Sequence, residues 1–133
     1  MSTATDRVSR FLAQLFDPAV DPAELRAHLH PDATFVERPN AMSPAGTIRG
    51  LDAALKGAAM GHAIMARQTY AVDDLRDAGD TVVVRALWTG TTSKDLPGLP
   101  AGTTLRAHIA SFWELRDDRI WRVTTYDCYE PRS

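Results

Sequence analysis

From Gln68 onward the chain is a near-continuous series of strand-like runs, Gln68 to Leu75, Thr81 to Thr91, Thr104 to Leu115 and Ile120 to Tyr129. Side chains on a strand alternate between its faces, so runs of this kind pair edge to edge with one apolar face buried. The links carry turn residues. Asp77-Ala78-Gly79-Asp80 and Asp117-Asp118 are short enough for hairpins, and Leu96 to Gly102 reads as a structured loop. The first half of the chain has a different period. Val8, Phe11, Leu12, Leu15 and Phe16 recur at helical spacing behind Thr5 or Asp6 as the N-cap, and Asp17-Pro18 ends the run. Asp21 caps a second helix, with Pro22 at its first position and Glu24 three residues after the cap, and His30-Pro31 stops it. Ala33 to Arg38 reads as a short strand and Pro39 to Gly50 as a breaker-rich connection. Leu51 to Met60 forms a third helix whose end is blurred by Gly57 and Gly61. Helices ahead of a sheet predict an α+β fold with an antiparallel sheet.

At 133 residues the chain is one domain, with a core spanning about 6–131, and it is long enough to bury a core without disulfides. The lone Cys128 agrees, and reads as a small buried residue. Fifteen Lys and Arg against 17 Asp and Glu leave a net charge of −2, so neither nucleic acid nor a membrane surface is an expected partner. The longest apolar stretch is interrupted by Lys56, His62 and Arg67, and the N-terminus lacks the pattern of a secretory signal. A cytoplasmic protein is expected. His28 and His30 are not one helical turn apart and have no partner motif, so no metal is expected. A phosphate-binding glycine loop and a nucleophile elbow are both missing, and no cofactor is expected either.

Parity sorts the strands into faces. Val82, Val84, Ala86 and Trp88 form the apolar set of one strand, and Leu105, Ala107, Ile109, Ser111, Trp113 and Leu115 that of the next. In the last strand Trp121, Val123, Thr125, Asp127 and Tyr129 share a face that excludes Arg122, which puts Asp127 on the apolar side. Removal from water disfavours a carboxylate's charge and raises its pKa, which tunes a general acid or base towards neutral pH. A hydrogen-bonded or Arg-paired Asp at a strand end is the alternative reading.

The order of these elements, together with several motifs, resembles the nuclear transport factor 2-like superfamily, in its SnoaL-like branch. The carriers are His30-Pro31-Asp32-Ala33-Thr34-Phe35, Ile48-Arg49-Gly50 with Asp52, Leu87 to Thr91 followed by Gly98 to Gly102, and Phe112 to Leu115 through Arg119-Ile120. The resemblance implies a cone-like curved sheet enclosing a pocket under three helices, often paired into dimers through the outer sheet face. It also implies functions from ketosteroid isomerisation, polyketide cyclisation and epoxide hydrolysis to non-catalytic ligand binding. Relative to the isomerases, Arg38 stands where the family has its Asp base, and Gln14 and Ser111 stand at the oxyanion positions. Thr125 occupies the last-strand Asp position of the cyclases, and Asp127 lies two residues beyond it on the same face.

The expected site is therefore Asp127 as proton shuttle and Arg38, if it points inward, as the cation that steadies developing negative charge. Trp88, Ser111, Asn40 and Thr125 are the expected ligand-binding residues, with Glu37 beside Asn40 at the mouth. Arg38 pairing with Asp127 or Glu37, and Trp88, Trp113 and Trp121 filling the core, are the alternatives. His108 falls on the polar face with Arg106 and Glu114, a surface or dimer-interface position. The expected function is a cofactor-independent isomerase, cyclase or hydrolase acting on a small hydrophobic substrate. A non-catalytic ligand-binding or dimerisation domain is the alternative.

Overall fold

The structure is a computed structural model, and it describes residues 3–132. Helix α1 (Thr3–Leu15) is followed by α2 (Pro22–Ala27), β1 (Leu29–Glu37), β2 (Thr47–Gly50), α3 (Leu51–Ile64), β3 (Met65–Ala78), β4 (Thr81–Thr92), β5 (Thr104–Arg116) and β6 (Arg119–Tyr129). The six strands form one sheet in the order β2-β1-β6-β5-β4-β3. The α+β class expected from the sequence is the one observed, but the sheet is mixed. β1 runs parallel to β6, while every other neighbouring pair is antiparallel.

Helix α1 begins upstream of the Thr5 or Asp6 cap that its sequence suggests. It lays Val8, Phe11 and Leu12 on the sheet, and all three are buried. Asp21 caps α2 as expected, its carboxylate accepting the Ala23 N–H at 2.9 Å. That helix stops at Ala27, however, and His30-Pro31 lies inside β1. The strand tolerates Pro31 because its pairing with β6 is irregular between Leu29 and Thr34, so the missing N–H interrupts no regular ladder there. Within the breaker-rich connection, Gly46 adopts φ 68° and turns the chain into β2. Helix α3 runs on to Ile64 through both of its glycines. At the far hairpin Asp117 and Asp118 both take positive φ, 54° and 59°, the conformation of a tight two-residue turn.

The parity sets hold along β4 and β5. Val82, Val84, Ala86, Leu105, Ala107, Ser111 and Trp113 are all buried. Together with Val8, Phe11, Leu12, Leu25, Leu29, Ile120 and Val123 they place the core between the sheet's inner face and the helices. Three expectations of burial fail. Trp88 is only half-buried. An irregularity between Glu114 and Leu115 shifts the β5–β6 register, so Ile120 takes the core position. Trp121 turns aside under the guanidinium groups of Arg116 and Arg122, 3.9 and 4.9 Å from its ring centre. Cys128 is exposed, because the even positions of β6 from Thr124 onward face away from the core. None of the helices among the described residues is long and apolar enough to cross a membrane.

Candidate functional site

Residues paired across a ladder share a face, so the registers line up rows across the inner side of the sheet. One row reads Thr47, Glu37, Thr125, Ser111 and Val84. The row beside it reads Arg49, Phe35, Val123, Trp113 and Val82. On the other side lie Asp127, Ile109 and Ala86. The polar members of these rows, Asp127, Thr125, Glu37, Thr47 and Arg49, gather towards the β2–β1–β6 end. There they line a cavity of about 380 Å³ under Phe11, Leu15 and Phe16 of the α1 end and Leu55, Gly57 and Ala58 of α3. This is the size and composition of a small-molecule site, apolar walls with a few convergent polar groups.

Among the described residues, one side-chain hydrogen bond holds Asp127, donated by the Thr125 hydroxyl to Oδ1 at 2.6 Å. Its pKa is raised, first by burial and then by the negative charge of Glu37, with the Thr125 hydroxyl opposing the shift. Glu37 is gripped from both sides, Oε1 by the Thr47 hydroxyl at 3.1 Å and Oε2 by the Asn40 amide at 2.9 Å. Asn40 is itself fixed in the turn, donating to the Arg38 carbonyl and accepting the N–H groups of Met42 and Ser43. It thus acts on the cavity through Glu37. Two tyrosines near the carboxylates are held neutral. Burial, then the charges of Asp127 and Glu37, push Tyr129 up to about 12. Burial also pushes Tyr70 up to about 12, against the opposing influence of the Ser111 hydroxyl.

Of the residues expected from the sequence, Asp127 and Thr125 lie in the cavity wall. Ser111 sits behind it, 1% exposed, accepting the Trp113 indole N–H at 2.8 Å. Arg38 is exposed and is not part of the wall. Glu37 takes the inward position, so strand alternation turns Arg38 outward. The cation at the cavity is instead Arg49, which pairs with Phe35 across β1 and β2 and shares its face. Trp88 stands outside the wall, its N–H donated to Gln68 Oε1 at 3.0 Å and its ring edge-on to Tyr129 at 6.2 Å. Gln14 faces α2 and hydrogen-bonds His28 and Glu24, away from the cavity.

A larger and more open groove, about 1020 Å³, lies on the other side of α1 against β3, with Leu12, Val72 and Leu75 on its floor. Phe16 borders both spaces and stacks on Tyr70 with ring centres 4.6 Å apart, so this aromatic pair stands between them. The inward carboxylates Glu37 and Asp127 line the smaller space. Among the described residues, no three His, Cys, Asp or Glu side chains converge as a metal site would require.

Comparisons with known proteins agree with this architecture. The polyketide-cyclase-like protein IdmH of Streptomyces antibioticus superposes with a TM-score of 0.71 at 28% identity, over 90% of each chain. A polyketide-cyclase-like protein of Acidithiobacillus ferrooxidans gives 0.75 at 19% identity, over 95% of this chain and 88% of the other. A ketosteroid isomerase-like protein of Catenulispora acidiphila, solved with trimethylamine, gives 0.69 at 21% identity, over 90% of this chain and 83% of the other. No curated protein sequence matches the chain closely enough to count as a relative. The sequence profile of the SnoaL-like domain spans residues 8–123, nearly the whole fold including the cavity's helices and most of its strands, and the chain is a member of that family.

Proposed function

We propose that the chain is a cofactor-independent acid–base catalyst acting on a small hydrophobic carbonyl compound, with Asp127 as the group that takes and returns the proton. The observation that carries this reading is the placement of Asp127 in a mostly apolar cavity with one hydrogen-bond donor and a raised pKa. Ionised, it accepts a proton from the carbon beside a carbonyl, and the electron pair moves onto the carbonyl oxygen. The resulting enolate is reprotonated elsewhere or attacks a second carbonyl carbon within the same molecule, and the Asp127 carboxylic acid gives the proton back. The first outcome is an isomerisation and the second a ring closure. Burial keeps the Asp127 proton affinity high, and the charge of Glu37, fixed in place by Thr47 and Asn40, adds to it. Likeness to a polyketide-cyclase-like protein at 28% identity supports the same class of chemistry.

The test is deuterium exchange into a panel of aromatic and alicyclic β-dicarbonyl compounds, followed by NMR. Wild type accelerates exchange at the carbon acid, and Asp127→Asn loses about 100-fold or more of that rate. Binding of the panel without any exchange would overturn the reading in favour of a ligand-carrying domain. We also propose that a second copy of the chain packs on the outer sheet face, where Phe112 and Tyr126 form an exposed edge-to-face pair.

A further inference from the structure

We propose that Arg49 makes this cavity select hydrophobic molecules carrying an anionic group, a carboxylate or an acidic enol, and that Gly57 is the positioning residue that seats the guanidinium. The inference rests on the cavity being the substrate site, and does not require Asp127 to turn the substrate over.

Arg49 is the last residue before Gly50, which caps α3, and its register opposite Phe35 puts it on the cavity face. It lines the cavity from an exposed position at the rim, and no carboxylate among the described residues is ion-paired with it. Asp52, on the first turn of α3, is paired with Arg26 at 2.8 Å. Both oxygens of Glu37 are taken by Asn40 and Thr47, and Asp127 Oδ1 is taken by Thr125. Among the described residues none lies within ion-pair distance of Arg49 with an opposite charge. An always-charged planar fork at the exposed mouth of an apolar cavity, ion-paired with neither of the carboxylates that line it, is free to pair with the occupant.

Gly57 explains where the fork lies. A Cβ built at that position would overlap Nη1 of Arg49, so the guanidinium occupies the space a side chain on α3 would fill. Glycine inside a helix weakens it relative to alanine, and here the concession coincides with the seat of Arg49, the cation that lines the cavity among the described residues. The other glycine inside α3, Gly61, has nothing within 4 Å of the same hypothetical Cβ. It is a control on the same helix, with the same gain in helix propensity and no effect on Arg49.

The test compares 2-naphthoate with 2-naphthamide, two probes of one shape and different charge, by calorimetric titration into the purified protein. Wild type binds the carboxylate at least 10-fold more tightly than the amide. Arg49→Gln brings the two dissociation constants together while leaving that of the amide within about twofold. Gly57→Ala lowers the preference several-fold and raises the melting temperature, whereas Gly61→Ala raises the melting temperature and keeps the preference. Asp127→Asn removes a carboxylate from the cavity and so widens the preference rather than abolishing it, which keeps lost turnover in that variant distinct from lost selectivity in the others. Equal affinities in wild type, a preference that survives Arg49→Gln, an unchanged ratio in Gly57→Ala, or no binding of either probe at millimolar concentration would each overturn the proposal.

Discussion

Asp127 carries its charge at a cost to the fold. Burial and Glu37 raise its pKa above the ordinary 3.8, so the folded chain binds this proton more tightly than the unfolded chain does. The stability linked to this group is complete below the unfolded pKa and is lost as pH rises through the folded one. Asparagine cannot ionise and still offers an oxygen to the Thr125 hydroxyl. Asp127→Asn is therefore expected to melt at a higher temperature than wild type at pH 8, with the gap closing as pH falls towards 4, in parallel calorimetric scans. A carboxylate clamped by a cation would give the opposite sign, a variant less stable at pH 8. Strand parity alone put Asp127 on the apolar face, since Val123 and Arg122 orient the strand locally. The same reasoning could not find Arg49, whose side is set by a pairing with Phe35 across a turn that has no sequence period.

At the scale of elements, the segments legible in the sequence were those whose signal is local. The alternation of β4 and β5 and the Asp117-Asp118 turn belong to hairpins, in which each residue's neighbours are close in sequence. The parallel contact of β1 with β6 depends on pairing between distant segments, and the four-residue β2 is too short to show an alternation, so neither leaves a pattern that can be read along the chain. Another long-range device is a polar relay. The Trp88 N–H on β4 donates to Gln68 Oε1 on β3, and Gln68 Nε2 lies 3.2 Å from His62 Nδ1 on α3. His62 Nε2 lies 2.8 Å from the Leu15 carbonyl at the end of α1. A carbonyl only accepts, so Nε2 carries the hydrogen and Nδ1 accepts from Gln68. Two strands and two helices are thus tied by one side-chain amide. Gln68→Leu leaves the indole N–H and the imidazole Nδ1 without these partners, and is expected to lower unfolding free energy by about 1–2 kcal/mol in urea titration.

Across the whole molecule the sheet divides two kinds of chemistry. Its inner face is occupied by the core and the cavity, while its outer face carries the residues that parity excluded, among them Arg106, His108, Phe112 and Tyr126. His108 is tied to Glu130 at 2.7 Å, and Phe112 and Tyr126 remain 40% and 47% exposed with ring centres 6.1 Å apart. Aromatic rings standing together on neighbouring central strands, β5 and β6, lose more water contact against a matching surface than scattered apolar residues do. A two-fold axis through this patch would set the pair against its own copy, leaving each cavity open on the opposite side of the sheet. Wild type is accordingly expected to sediment at twice the mass of the 14.6 kDa chain at micromolar concentration. Phe112→Glu, which puts a charge into the patch without touching the core, is expected to sediment as single chains and to bind 2-naphthoate as wild type does. Single-chain sedimentation of wild type would exclude the dimer, and loss of naphthoate binding in Phe112→Glu would mean that the two faces are coupled through the sheet.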